Sequence, residues 1–586
     1  MTHPLLRRAD VDFLLFDWLR LEGLLEHGKF ADHNRETIGA ILDLSERLAA
    51  DVFLPHYKAS DSIEPYLDAD GVHVLPAIGD ALRQYAELGL FSASFPSDLG
   101  GFGLPFSVSA ISYAWFAAAN IATSAYVMLT GANARLIAAF GSPAQVEAFA
   151  LPQIEGRWFG TMCLSEPQAG SNLGEVQTRA VREGEDELGA RYRLVGNKMW
   201  ISGGDQDISE NIVHLVLAKV PDADGHLPSG TSGISLFIVP RTLPDGSRND
   251  LAVAGLNHKM GYRGTSNCLL NFGENEGATG WLVGSVGEGL RQMFMMMNEA
   301  RISVGFGAAA LAYRGYQHAL AYATERGQGR KQADGPQTPI IEHADVRRML
   351  LAQKCYAEGS LALCLYSAML VDQDEDPDNA ALLSLLTPIA KTWPSEFGLM
   401  ANDLAIQVHG GYGYTRDFDV EQLYRDNRLN PIHEGTTGIQ GMDLLGRKIL
   451  REGKGLEILR ARIARTIEAT ADQPGLGFLA MHLRATWREI HGTIQLLKQR
   501  PPARMLDDAT SFLFGFGHAV MGWLWLDQAV VATRALPRLR GEALHVAQGK
   551  IAACEYFYSY ELPKVSAWLA PVNDGHDIMR APVDVF

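Results

Sequence analysis

Hydrophobic periodicity changes twice along these 586 residues, and the two changes limit the architecture more than any other feature. From the start to about residue 156 the spacing is helical. Phe13, Leu14, Leu15, Trp18, Leu19, Leu21, Leu24 and Leu25 keep to one broad face of a 3.6-residue period. Ile38, Ile41, Leu42, Leu44 and Leu48 form the stripe of a second helix over 37–52, and 104–140 is an Ala-rich, small-residue stretch suited to close helix packing. From Arg157 to about Phe272 the chain alternates in short runs instead: WFGTMCLS, RYRLVGNKMWIS, NIVHLVLAKV, GISLFIVP and TSNCLLNF. Turn-forming clusters at 182–189, 221–233 and 244–250 separate them, which predicts an antiparallel sheet or barrel. After Gly289 the helical period returns over 293–322, 346–372 and 379–409, and again from about 453 to 567. Linkers are expected at 327–339, 373–378, 473–477 and 499–504.

A chain of this length exceeds what one core supports. The expected fold is α+β and mainly helical, with an N-terminal helical domain (1–156), a middle β-domain (157–280), a helical bundle (281–450) and an extra C-terminal helical domain (451–586). The formal net charge of −17, from 51 basic and 68 acidic residues, weighs against a nucleic-acid or anionic-membrane partner. It leaves room for a small anionic ligand, because nearby arginines dominate within a Debye length of about 8 Å. Five cysteines at 163, 268, 355, 364 and 554 form no CxxC pair, which fits a reducing, cytoplasmic compartment. Asp10 and Asp12 interrupt any N-terminal signal-like run, and no uncharged apolar stretch is read as approaching the ~20 residues of a membrane span.

Five segments carry candidate chemistry. CLSEPQAGS over 163–171 joins a strand to a turn dense in small hydroxyl and glycine groups, which lets backbone N–H groups approach a planar or anionic ligand. NKMWISGG over 197–204 offers a flat apolar wall in Trp200 and a polar edge in Ser202, as a bound ring system needs. NEAR over 298–301 opens a helix that leads towards Arg326. QVHGGYGY over 407–414 reads first as a helix cap and turn, yet its glycines would also admit a pyrophosphate. NPIHEGTTGIQ over 430–440 places Glu434 ahead of a helix start. Taken singly, each segment has an ordinary structural reading.

Their order and spacing together resemble the acyl-CoA dehydrogenase family, from about Leu90 to Arg447. The signature run ends in Asn172 where the family has Asp. QxxGGxGY appears at 407–414, and Tyr424-Arg425-Asp426 precedes the Ile-x-Glu-Gly-Thr run that carries the family's base. The resemblance implies FAD bound between the β-domain and the bundle, partly across a subunit interface. Met162, Ser165, Trp200 and Ser202 would line its ring. Arg326, Gln407, Gly410 and Gly411 would hold its pyrophosphate, and Thr436 would contact it near the base. Ser171, Asn298, Arg301 and Gly435 form the implied substrate-binding set, and Glu434 the catalytic base; no metal is implied. Three further departures from the family pattern are Asn298 for Asp, His433 for the Tyr before the base and Gly438 for a Gln that touches FAD.

The implied reaction is α,β-dehydrogenation of an acyl-CoA thioester to the trans-2-enoyl-CoA, within fatty acid β-oxidation. Electrons would pass to an electron-transfer flavoprotein. The extra 130-odd residues resemble the C-terminal domain of long-form members, such as those acting on 3-methylmercaptopropionyl-CoA or on fatty acyl-CoAs, and imply a homodimer. Two rivals share the scaffold: an acyl-CoA oxidase, and a flavin-bearing, non-catalytic DNA-linked relative. Acyl chain length is left open, and so is the role of His433, which either tunes the pocket or bonds locally to backbone.

Overall fold

The computed structural model describes residues 5–26, 28–332 and 334–586. Residues 1–4 of the expected N-terminal domain, residue 27, and residue 333 of the expected 327–339 linker lie outside the described residues. The chain divides into two compact units, Gly28–Ala300 and a second made of Met1–His27 with Arg301–Phe586.

In the first unit the helix Arg35–Leu48 begins at a capping box, in which Asn34 Oδ1 accepts from the Thr37 N–H at 3.0 Å and the Thr37 hydroxyl accepts from the Asn34 N–H. Its predicted stripe supplies the buried Ile38, Leu42 and Leu48. The small-residue stretch forms the long helix Phe106–Phe140, interrupted at Asn120, whose φ of −159° is non-helical. The β-part has eight strands, and all five predicted runs are among them. Ala278–Leu282 pairs with both Ile234–Pro240 and Gly189–Ser202, so the pairings close on themselves as in a barrel.

Two readings of this region need correction. The sheet is mixed, because Trp158–Cys163 runs parallel to Asn211–Lys219, from Trp158↔Asn211 to Cys163↔Val216. A parallel pair needs a long crossover, and the chain between these strands supplies one. The cluster at 182–189 is largely strand: Arg179–Asp186 pairs antiparallel with Gly189–Ser202. Its charged side chains are mostly exposed while Ala180 is buried, so a surface hairpin carries turn-like composition.

In the second unit the predicted helices appear as Gly289–Glu325 (which starts in the first unit), Ala344–Asp372 and Pro377–His409, then Lys454–Glu468, Leu476–Gln499, Ala509–Ala535, Gly541–Tyr556 and Lys564–Asp574. The expected linker 327–339 contains a small hairpin of Gly327–Arg330 against Gln337–Pro339. The first residues are not one helix. Arg20 takes φ +53°, which ends the π-turn Phe13–Trp18 before the short helix Leu21–Leu25.

This N-terminal piece is tied to the far end of the chain. Trp18 Nε1 donates to Asp527 Oδ2 at 2.8 Å, and buried Asp10 pairs with Lys550, which also donates to Glu358 at 2.9 Å. Buried charges of this kind hold only when paired. The run from Ala509 to Leu526 is uncharged and closer to a span length than the sequence reading allowed. By length and composition the stretch Ala509–Arg538 could cross a bilayer, but 83% of its apolar window is buried inside the protein, so it serves as a core helix.

Candidate active site

Unit Gly28–Ala300 gathers Met162, Ser165, Trp200 and Ser202 on adjoining strand ends. Met162 is half-buried in Trp158–Cys163, and the Met199 N–H donates to Ser165 O at 3.0 Å, tying the signature loop to the Trp200 strand. Trp200 stands 59% exposed at φ +66°, so its ring presents a free face. Ser202 Oγ accepts from Asn267 Nδ2 at 3.2 Å.

What fixes this corner is a pair that sequence reasoning passed over. Lys198 is fully buried and donates to Glu166 Oε1 at 2.9 Å and to Leu164 O at 3.0 Å. Glu166 also accepts from the N–H groups of Gln177 and Thr178 and from the Thr178 hydroxyl. Burial alone would push Glu166 up, but Lys198 and these donors together draw it below its ordinary range. For Lys198, burial wins and lowers it. Of the substrate-binding candidates, Ser171 is exposed on the turn and Asn298 half-buried on its helix. Asn172 caps the following turn, its Oδ1 accepting from the Gly174 N–H at 3.1 Å, a role that Asp would fill equally.

In the other unit Arg326, Gly410 and Gly411 line one open groove with Tyr322, His409 and Tyr412, and the Tyr322 and His409 rings stack at 4.4 Å. Gln407 is exposed and its carbonyl accepts the Gly410 N–H. Gly410 takes φ +61° and ψ −138°, which an L side chain resists, and a Cβ at Gly410 or Gly411 would project into open space. A cradle of bare backbone beside an exposed arginine fits a pyrophosphate. Gly410→Ala is expected to raise the dissociation constant for a bound dinucleotide about tenfold or more, as a backbone strain of roughly 1–3 kcal/mol implies. Equilibrium dialysis of the released cofactor measures it.

The loop that carries Glu434 lies in the same unit. Glu434 is half-buried at φ +52°, an uncommon conformation for a side chain of its kind, and Gly435 follows at φ +87°. Gln440 Nε2 donates to the carbonyls of Glu434 (3.1 Å) and Gly435 (3.3 Å). Thr436 Oγ1 caps the helix Thr437–Met442. Burial raises the Glu434 carboxyl above the usual carboxylate range, with Lys391 and Arg301 opposing. Arg301 is itself buried and paired with Asp443 at 2.9 Å, and its charge is one of the two that oppose the rise at the Glu434 carboxyl.

His433 is pushed down to about 3, first by burial and then by Lys391, and is therefore neutral. Its Nε2 donates to Asn430 Oδ1 at 3.0 Å, a partner on the same loop. Gly438 lies one turn from Gly441 on the helix that packs against the start of Ala509–Ala535. A Cβ at Gly441 would come within 2.8 Å of Ala509 O, and one at Gly438 would face Thr510 Oγ1 at 3.9 Å. The start of Ala509–Ala535 thus lies against the Gly441 face of this helix.

Four family models match in order: the acyl-CoA dehydrogenase N-terminal domain over 49–157, the middle domain over 161–274, the C-terminal domain over 287–450, and an acetyl-CoA dehydrogenase C-terminal-like domain over 461–582. The chain belongs to the acyl-CoA dehydrogenase family, and is an oxidoreductase of that class. It is 34% identical to the 3-methylmercaptopropionyl-CoA dehydrogenase of Ruegeria pomeroyi, with 96% of each chain covered. It is 32% identical to the broad-specificity linear acyl-CoA dehydrogenase FadE5 of Mycobacterium tuberculosis, with 97% of each covered. Among solved structures, an acyl-CoA dehydrogenase from Bacillus anthracis complexed with FAD is similar at a TM-score of 0.75 and 21% identity, covering 94% of this chain and 90% of that one.

Proposed function

We propose that this protein dehydrogenates an acyl-CoA thioester between Cα and Cβ to the trans-2-enoyl-CoA, with Glu434 taking the α-proton. The observation that carries the reading is the base itself: a carboxyl that burial holds above its ordinary range, on a loop whose left-handed backbone is fastened at two carbonyls. A carboxyl so shifted lies closer to operating pH, which is where a general base is most effective. The cofactor is FAD, which supplies the hydride acceptor when bound. Trp200 offers a flat wall, and Met162, Ser165 and Ser202 supply its edge contacts. Arg326, Gln407, Gly410 and Gly411 hold the pyrophosphate, and Thr436 touches the cofactor beside the base. Ser171, Asn298, Arg301 and Gly435 serve the thioester and its CoA. The Gly435 and Glu434 backbone, held by Gln440, keeps the carboxylate aimed while substrate excludes water.

Electrons pass to an electron-transfer flavoprotein, the protein acts as a homodimer in the cytoplasm, and its place is in fatty acid β-oxidation. Five buried thiols without a disulfide support the reducing compartment. Two full-length relatives act, by name, on 3-methylmercaptopropionyl-CoA and on linear acyl-CoAs, which supports an unbranched acyl chain. Turnover of a panel of acyl-CoAs under air, with and without an artificial one-electron acceptor, tests the assignment. Enoyl-CoA formed only with the acceptor is the expected result. Hydrogen peroxide in step with product would make the protein an oxidase.

A further inference from the structure

Lys391 lies on the helix Pro377–His409 with no exposed surface, in a wholly buried run, 385–395, that has no other charge. A buried ammonium is costly unless every proton has a purpose. Its Nζ donates to Asn430 O at 2.7 Å and to Gly435 O at 2.8 Å, the carbonyls on either side of the Glu434 turn. Asn430 is anchored further in, its Nδ2 donating to Asn427 Oδ1 at 2.8 Å, and Asn427 Nδ2 donating to Asn402 Oδ1 at 2.6 Å. The strained residue is thus stapled to the bundle core by Lys391, alongside the Gln440 amide that donates to the Glu434 and Gly435 carbonyls. The charges around the base are Lys391 and Glu396 from this helix and Arg301 from Gly289–Glu325, itself paired with Asp443, which also pairs with Arg447; His433 is neutral. Burial draws Lys391 itself down to about 8, with Glu434 and Glu396 opposing and Arg301 assisting.

We propose that Lys391 is a positioning residue for Glu434, holding its left-handed turn through two flanking carbonyls and placing a positive charge beside the base. The inference rests on the dehydrogenase reading. A staple alone would order the loop; the added charge would also hold the carboxylate ionised at lower pH. Lys391→Met removes both effects. Lys391→Arg keeps the charge, but its planar fork cannot reproduce a compact ammonium between two carbonyls.

In Lys391→Met holoprotein, flavin reduction by acyl-CoA is expected to slow roughly 10²-fold, as a misplaced reacting group does. The acid limb of its pH profile is expected to move to higher pH, while Lys391→Arg loses rate with the limb in place. Hydrogen exchange of residues 430–440 is expected to quicken roughly tenfold in Lys391→Met, as loss of a hydrogen bond allows. An unchanged rate, or an acid limb that stays put in Lys391→Met, overturns the proposal. If wild-type flavin is reduced by no acyl-CoA, the functional reading falls instead. Exchange of 430–440 then decides the positioning role alone, and protection unchanged in Lys391→Met would refute it.

Discussion

Glu434→Gln is expected to bind acyl-CoA as the wild type does and to reduce its flavin roughly 10²–10⁴-fold more slowly, the loss typical of a removed general base. The isosteric amide keeps the size and the backbone geometry but cannot accept the α-proton. The pH dependence gives a second readout. The base works ionised, and burial raises its carboxyl, so the wild-type rate should climb with pH through that raised value. The limb should vanish in the variant. Linkage sets the sign for stability: a carboxyl raised in the folded state favours folding below its unfolded value and loses that contribution as pH rises through the folded one. At neutral pH the ionised Glu434 is therefore a burden, and Glu434→Gln should melt slightly higher than wild type while being inactive.

Lys198→Met is expected to have the largest effect on the fold. It leaves the Glu166 carboxylate 3% exposed with its cation gone. Breaking a buried pair from one side costs about 3–5 kcal/mol, which for a unit of this size lowers the melting midpoint by roughly 5–15 °C. The loop from Leu164 to Thr178 loses its hub, so the purified protein should also retain less flavin. Lys198→Met with Glu166→Gln should recover part of both, since the buried charge is then removed. A melting midpoint within 1–2 °C of wild type (about half a kcal/mol on the same scale) would show that Glu166 does not depend on Lys198.

The elements were legible where one physical signal dominated. Alternating runs such as NIVHLVLAKV became strands, and the long apolar periods became helices, because burial of one face or of both selects them. Pairing was not legible. Nothing in WFGTMC says that its partner runs parallel, and the charged hairpin strand Arg179–Asp186 resembles a turn in composition. Nor could the sequence show that Asp10 meets Lys550, a contact between opposite ends of the chain.

At the candidate site Glu434 and the glycines of 407–414 stood out through motif order, whereas Lys198 and Lys391 did not. A lysine is usually solvated, and only the mostly apolar, charge-free surroundings of Lys391, in PIAKTWP, signalled that this one is buried; its carbonyl partners were not legible. The left-handed backbone at Glu434 was equally hidden, since the Gly that usually marks such a turn is its neighbour.

The measurement that bears most directly on the central claim uses an acyl-CoA carrying two deuteriums on the α-carbon, mixed anaerobically with the purified holoprotein, followed by mass analysis of the thioester. The prediction is an enoyl-CoA that retains one of the two deuteriums, formed as the flavin band bleaches, and no such product with Glu434→Gln. Flavin that stays oxidised with every thioester offered, or a product that retains both α-deuteriums, would contradict the assignment of Glu434 as the base.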